Sequence, residues 1–340
     1  GDDGRHLYGL DAARVVSTRG ELKSFTPDGA GVLIGAFAPA PYEAANPDVL
    51  RVDLATGEEE RVTFAADYDE PVEMSPDGRW YIVGSGRGSG LFEAVSQVRR
   101  PSLLGPGLDP LTAMLFAHHR PELLEGWVVR TGSEARGSTG QRIPAPEGSS
   151  EAGYDGRTLW NWRPDGTAIA YWQGRGSGFE TDPTGTRLVV AELPDRRPVR
   201  PRPPGDVRSP VPSWAPALAG SVPPPAPRPE SRAGRRSGTA AVSVTEVPGG
   251  LVVEVTYDGF SDEAGWVVDG TERADWRRDR TTYTADLTLS GRHEGFLRAD
   301  AVISVAGIEG EITSEVDGRR LTLPVAAADG GDGTDAGDGP

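Results

Sequence analysis

The sequence contains no cysteine, and Lys23 is the single lysine among its 35 basic residues. Without cysteine, the chain cannot form disulfides, thiolate metal sites or a cysteine nucleophile. Long apolar runs are also missing, since the best one covers only residues 32–37. Such a run is far shorter than a membrane-spanning helix requires. We therefore expect no membrane insertion.

The charge is strongly one-sided, with a formal net charge of −16 over 340 residues. An acidic surface is repelled by phosphate, so we expect no nucleic-acid partner. The basic residues concentrate in residues 195–236, which hold nine arginines against three acids. Glycine (46 residues) and proline (30 residues) are abundant, but they stay below the content typical of a wholly disordered chain.

A repeat is visible in the first half of the chain. The segment Ser75-Pro76-Asp77-Gly78-Arg79, with the apolar strand and the Gly-Arg-Gly-Ser-Gly sequence that follow it, is matched by a similar stretch at an offset of 88 residues. Shorter copies raise the count to four, and their prolines are spaced by 49, 45 and 43 residues: Pro27, Pro76, Pro121 and Pro164. Pro-Asp-Gly favours a tight hairpin turn, because proline fixes φ and glycine accepts a positive φ. A period near 45 residues predicts four-stranded propeller blades.

These residues resemble the TolB-like propeller repeats. Residues 75–83 match the family's Ser-Pro-Asp-Gly-Arg pattern, and residues 49–57 match its strand ending in Asp-Leu-x-Thr-Gly. The resemblance covers roughly residues 22–193 and implies a β-propeller in a secreted or periplasmic binding protein. Four repeats are countable, and residues 5–11 resemble the outer half of a further blade.

The chain therefore divides into four predicted regions of an all-β protein. Residues 1–194 are the predicted propeller, and residues 195–238 form a Pro/Arg-rich linker in which Trp214 is expected to dock onto a neighbouring domain. Residues 239–325 alternate between apolar and polar, which predicts an antiparallel β-sandwich-like domain or half-barrel. Residues 326–340 are acidic and glycine-rich, so we expect a disordered tail.

The repeat itself highlights a candidate binding site. Arg87 and Ser89 lie in one Gly-Arg-Gly-Ser-Gly loop, and Arg175 and Ser177 lie in the other. Glycines let backbone amides approach a ligand, and a guanidinium beside them favours an anion. The sequence predicts that both loops share one rim and bind carboxylates, phosphates or sulfates. The alternative is that each arginine pairs with an aspartate of the next blade.

The sequence offers less support for catalytic or metal-binding motifs than for the anion site. The sequence has no Gly-x-Ser-x-Gly, no His-Glu-x-x-His and no phosphate-binding loop. Asp69, Glu70 and Glu73 could form a glycan-cleaving site, although a solvated acidic loop is the simpler interpretation. His118 and His119 are adjacent, and strand neighbours point to opposite faces, so a structural role is favoured over a metal ligand.

The tail adds one weak metal motif. Residues 330–335 resemble half of a Ca²⁺-binding repeat. One half-repeat cannot stack, so a disordered tail is the preferred interpretation and Ca²⁺ the alternative. We expect no cofactor and no metal site elsewhere.

These observations predict a non-enzymatic, extracytoplasmic binding or scaffold protein that acts through its propeller face. The expected partner is a protein or an anionic cell-envelope polymer. Two alternatives stay open. One is a carbohydrate-active hydrolase or lyase on a propeller scaffold. The other is a structural surface or filament subunit that associates with further copies of itself.

Overall fold

The computed structural model describes residues 13–18, 20–36, 47–87, 89–104, 108–118, 125–143, 154–156, 160–175, 185–201, 213–218 and 230–323. Strands make up 55% and helices 6% of these residues. All strand pairings are antiparallel, in four sheets. The prediction of an almost all-β protein is therefore confirmed.

The first two sheets follow the chain. Sheet 1 has the order β1 (Glu21–Phe25), β2 (Gly31–Ala36), β3 (Asp48–Asp53), β4 (Glu59–Arg61). Sheet 2 has the order β5 (Asp69–Met74), β6 (Trp80–Ser85), β7 (Glu125–Arg130), β8 (Gln141–Arg142). Two helices, α1 (Glu93–Ser96) and α2 (Asp109–His118), lie between β6 and β7. We call residues 89–118 the insert.

Sheets 3 and 4 complete the described fold. Sheet 3 consists of β9 (Tyr154–Gly156), β10 (Asn161–Trp162), β11 (Ala168–Arg175) and β12 (Thr186–Glu192), with β9 and β10 both paired to β11. Sheet 4 has eight strands in chain order: β13 (Arg232–Ala233), β14 (Ser237–Val247), β15 (Gly250–Ser261), β16 (Val267–Arg277), β17 (Arg280–Ser290), β18 (Gly295–Ser304), β19 (Gly307–Val316) and β20 (Arg319–Leu323).

The Pro-Asp-Gly sequences form the predicted hairpin turns. They join β1 to β2, β5 to β6 and β10 to β11, and in each turn the glycine N–H donates to the carbonyl three residues earlier, at 2.7–2.8 Å. The three glycines have φ between 67° and 73°: Gly29, Gly78 and Gly166. A side chain at this φ would be strained. The local sequence therefore specifies these turns without help from the rest of the fold.

The count of four repeats is wrong in its third member. In the third copy, the apolar stretch after Pro121 is residues 127–129, and the repeat predicts that it forms the second strand of a separate blade. They belong to β7, which pairs with β6 from Trp80↔Arg130 to Ser85↔Glu125 and is the third strand of sheet 2. The 88 residues between the copies at Pro76 and Pro164 therefore correspond to one sheet plus the insert, and not to two blades. A short apolar strand has the same pattern in either position, so sequence alone could not separate them. Pro121 and residues 5–11 lie outside the described residues.

Sheets 1, 2 and 3 stack face to face. Leu33 and Val49 of sheet 1 pack with Tyr81, Val83 and Val129 of sheet 2. We call the face that a sheet turns toward the next sheet its forward face, and the other its back face. A second cluster joins the forward face of sheet 2 to sheet 3. It consists of Ile82 and Val128 with Trp160, Trp162, Ile169 and Tyr171. Within the described residues, the stack does not close into a ring.

Sheet 4 has the predicted antiparallel strands, but within the described residues it is a single sheet and not a sandwich, and the half-barrel alternative stays a prediction. Its apolar face, which includes Val255, Tyr283 and Leu287, packs against Phe92 and Leu111 of the insert. The described part of the chain holds no second sheet over that face. The alternation correctly predicted one buried and one exposed face. It carried no information about what covers the buried face.

Two parts of the predicted linker, residues 213–218 and Arg196, dock onto the sheets. Residues 213–218 pair with residues 13–18 through the bridge Arg14↔Ala217, and we call the segments 13–18 and 213–218 the cap. Trp214 contacts Gly57 and donates to the carbonyl oxygen of Leu54 at 2.9 Å. Its predicted docking is therefore observed. Arg196 lies 4.8 Å from the ring centres of both Trp80 and Trp162, and so joins sheets 2 and 3.

Candidate functional site

Arg87 lies just after β6, and its side chain is only 8% exposed. One terminal nitrogen donates to the carboxylate of Asp69 at 2.9 Å, and the other donates to that of Glu134 at 2.7 Å. The Nε atom donates to the hydroxyl of Ser85 at 2.7 Å. The guanidinium also lies 5.4 Å from the ring centre of Trp127. All three nitrogens of Arg87 therefore have acceptors within sheet 2 and its loops.

The charges around Arg87 depend on one another. Burial opposes its charged form, but the carboxylates of Asp69 and Glu134 outweigh this and raise the pKa of Arg87. Burial raises the pKa of Glu134, and Arg87 opposes that rise. Burial also raises the pKa of Asp67 well above its usual range, with the nearby Asp69 adding to the effect. The guanidinium thus offsets part of the cost of burying acids at this end of the sheet.

This arrangement differs from the predicted anion site. The donors of Arg87 are directed at the chain's own acids, and both acids belong to the same sheet and not to the next one. The hydroxyl of Ser89 accepts from the N–H of Leu91 within its loop. The backbone of Arg175 ends β11 opposite Tyr154, while its side chain and Ser177 lie outside the described residues. Anion binding by these four residues stays a prediction, and at Arg87 it would require breaking two ion pairs.

The three carboxylates considered for glycan cleavage lie on a strand, not in a solvated loop. Asp69 is fully buried and pairs opposite Ser85, whereas Glu73 pairs opposite Ile82. Ser85 and Ile82 occupy opposite faces of β6 because they are an odd number of residues apart. Asp69 and Glu73 therefore point away from each other. Glu70 accepts from the Tyr68 hydroxyl and pairs with Lys23.

Glu73 provides a pH-dependence prediction. Burial raises its pKa from 4.5 to about 7. In the unfolded chain the carboxyl loses its proton near the lower value, so ionisation costs folding stability as the pH rises from 4.5 to about 7. We expect Glu73→Gln to raise the urea midpoint at about pH 8 and to change it little at about pH 4. The exposed Glu254→Gln is the control, and equal shifts for Glu73→Gln at both pH values would contradict the assignment.

The histidines also lie in a setting that the sequence did not predict. His118 ends α2, so the strand geometry assumed for His118 and His119 is wrong. His119 itself lies outside the described residues, as does the Ca²⁺-like tail at 330–335. Among the described residues, no three histidine or acidic side chains are grouped to hold a metal ion.

A cleft opens between sheets 1 and 2 at the end that carries the Pro-Asp-Gly turns. Its volume is about 270 Å³. Pro27 and Asp28 of one turn and Gly78 of the next line it, together with Arg51, Glu60 and Thr131. Arg51 pairs with Asp53 at 2.8 Å. The cleft thus holds both signs of charge beside exposed turn backbone, and it lies at the opposite end of the strands from Arg87.

A second buried cluster joins the insert to sheet 4, and no motif in the sequence pointed to it. Arg100 is 0% exposed and donates to both carboxylate oxygens of Glu272, at 2.7–3.0 Å. The hydroxyls of Tyr257 and Tyr283 donate to the same carboxylate, at 2.8 and 3.0 Å. Arg100 also donates to the backbone carbonyl of Val95. The residues involved are up to 183 positions apart in the chain, so only the tertiary structure brings them together.

The comparisons with known proteins are sparse. No protein-family model and no curated protein matches the chain. A structure from Agrobacterium tumefaciens described as TolB has 16% identity and a TM-score of 0.33, covering 52% of this chain and 48% of that one. TolB from Acinetobacter baumannii has 14% identity and a TM-score of 0.29, with 70% and 40% covered. The chain spans less than half the length of these two structures. At such TM-scores the similarity adds nothing to the fold described above.

No described helix is both long and apolar enough to cross a membrane.

Proposed function

We propose that the protein is a non-enzymatic binding or scaffold protein that acts outside the cytoplasm and holds a protein partner in the cleft between sheets 1 and 2. The observation that carries this proposal is the cleft itself, with its volume of about 270 Å³. That volume suits one or two side chains of an inserted loop or an extended peptide, not a large polymer.

The charges favour a protein over an anionic polymer. The chain as a whole carries −16, so it repels a polyanion at long range. The cleft combines Arg51 with Asp28 and Glu60, and it therefore suits a partner segment that also carries both signs. Of the three carboxylates considered for the hydrolase alternative, Asp69, Glu70 and Glu73, the first and the last point to opposite faces of sheet 2 and so do not form a catalytic pair.

A displayed peptide library tests this function. Peptides are selected on the wild-type chain and then compared with Thr131→Trp, which fills the mouth of the cleft. Thr256→Trp is the matched control, because it adds the same side chain on the exposed face of sheet 4. We expect peptides whose affinity falls at least about tenfold with Thr131→Trp and is unchanged with Thr256→Trp.

Two results would contradict the proposal. One is that the selected peptides bind Thr131→Trp as well as they bind the wild-type chain. The other is steady hydrolysis of a glycan substrate by the purified chain, which would instead support the enzymatic alternative.

A further inference from the structure

The forward face of sheet 3 has no sheet packed on it within the described residues. Its apolar side chains are unusually exposed: Leu188 is 77% exposed and Val190 is 57% exposed. The two residues alternate along β12 and therefore share a face, together with Ala170 and Trp172 of β11. Such a contiguous apolar patch on an otherwise charged protein indicates an interaction surface.

The repeat provides an internal comparison for this patch. Val190 lies opposite Ala170, as Val128 lies opposite Ile82 in sheet 2. Both Ala170 and Ile82 are the sixth residue after the turn proline. Val128 is 7% exposed because sheet 3 covers it, whereas Val190 is 57% exposed. The sequence thus retains an apolar residue suited to a junction that the described chain does not make.

The same holds one pair further along the strands. Leu188 lies opposite Trp172, as Val49 lies opposite Gly35 in sheet 1. Val49 is 0% exposed because sheet 2 covers it, whereas Leu188 is 77% exposed. Both comparisons indicate that a further protein surface covers sheet 3.

The opposite end of the stack is already occupied. On the back face of sheet 1, Ile34 and Leu50 are 3% and 0% exposed, and Val16 of the cap packs against this cluster. A head-to-tail array, in which sheet 3 of one copy meets sheet 1 of the next, would have to displace the cap. No described segment of the chain packs on the forward face of sheet 3, so this face can pair with a like face of another copy without displacing any of the described residues.

We propose that the forward face of sheet 3 packs against the same face of a second copy around a two-fold axis. The charged groups at the turn end of the sheet are already paired within the chain, Arg163 with Glu192 at 3.0 Å and with Asp165 at 2.9 Å. The apolar centre, Leu188 and Val190, then meets its own equivalent. An isologous contact of this kind uses one patch for each chain and closes at two copies. The pairing is independent of the cleft and of the function proposed for it.

Sedimentation velocity of the full chain over a wide concentration range tests the association. We expect a monomer–dimer equilibrium with no larger species. Leu188→Glu should raise the dimer dissociation constant at least about tenfold, because two like charges would face each other across the axis. Leu22→Glu is the matched control. Leu22 is 61% exposed on sheet 1, and its replacement should leave the equilibrium unchanged.

Crosslinking gives a second measurement that does not depend on affinity. Because the chain has no cysteine, Leu188→Cys provides the single thiol of its variant. Mild oxidation should give a disulfide-linked dimer for Leu188→Cys and not for Leu22→Cys. Three results would each overturn the proposal: a monomer at every concentration, polymers that grow with concentration, or equal crosslinking at both positions.

Discussion

Replacing Arg100 with methionine should lower the free energy of unfolding by about 3–5 kcal/mol, the usual cost of removing one partner from a buried ion pair. In the wild-type chain Glu272 is 1% exposed. The change removes the cation from its buried carboxylate and leaves only the hydroxyls of Tyr257 and Tyr283 as donors. Because Arg100 belongs to the insert and Glu272 to sheet 4, the contact between these two units should weaken. Urea denaturation measures the loss.

Arg99→Met is the matched control for Arg100→Met. Arg99 pairs with Glu263 at 3.1 Å, but their side chains are 37% and 39% exposed. An exposed pair of this kind contributes about 0–1 kcal/mol, so this variant should unfold nearly like the wild-type chain. The double variant Arg100→Met/Glu272→Met should be more stable than Arg100→Met alone, because it removes the unpaired charge. Equal losses for Arg99→Met and Arg100→Met would contradict the structural role of Arg100.

Replacing Arg87 with methionine should also cost about 3–5 kcal/mol of folding stability, because it leaves two buried carboxylates without their shared cation. The side chains of Asp69 and Glu134 are 0% and 2% exposed. Burial raises the pKa of Glu134 and Arg87 opposes that rise, so without Arg87 the Glu134 carboxyl keeps its proton to a higher pH in the folded state. The loss should therefore be larger at about pH 8 than at about pH 5, which urea denaturation at both values would show.

The control for Arg87→Met is Arg163→Met, since Arg163 pairs with Asp165 at 2.9 Å and their side chains are 42% and 40% exposed. Because this pair is solvent-exposed, the urea midpoint of Arg163→Met should stay close to that of the wild-type chain. An Arg87 variant that folds with wild-type stability yet loses affinity for an anionic probe such as dextran sulfate would contradict the structural role. It would then support the anion site predicted from the sequence.

The predicted site illustrates how far repetition can be interpreted. The recurrence of Gly-Arg-Gly-Ser-Gly drew attention to Arg87, but it could not separate a ligand contact from an internal ion pair. That distinction depends on whether acids lie within reach of the guanidinium. Glu134 follows Arg87 by 47 residues, across the insert. No local pattern connects two residues so far apart.

The forward face of sheet 3 is a second case in which the sequence alone does not determine burial. Residues 188–191 are apolar at every position, which is typical of a strand, and the two faces of β12 differ in exposure and not in polarity at these positions. The residue types alone therefore cannot show that Leu188 is exposed while its equivalent Val49 is buried, because both are apolar. The difference follows from the stacking order of the sheets.

By itself, the sequence determined the features that depend on neighbouring residues. Proline, aspartate and glycine impose the three turns through their own backbone preferences, and alternation specifies strands with one apolar face. The absence of cysteine excludes thiol chemistry.

The tertiary structure alone decided that one apparent repeat is the third strand of sheet 2. It also decided that the insert, and not a second sheet, covers sheet 4, and that Arg87 and Arg100 pair with distant acids. Burial and long-range pairing depend on which surfaces meet, and a linear pattern of residue types does not encode the identity of the opposing surface.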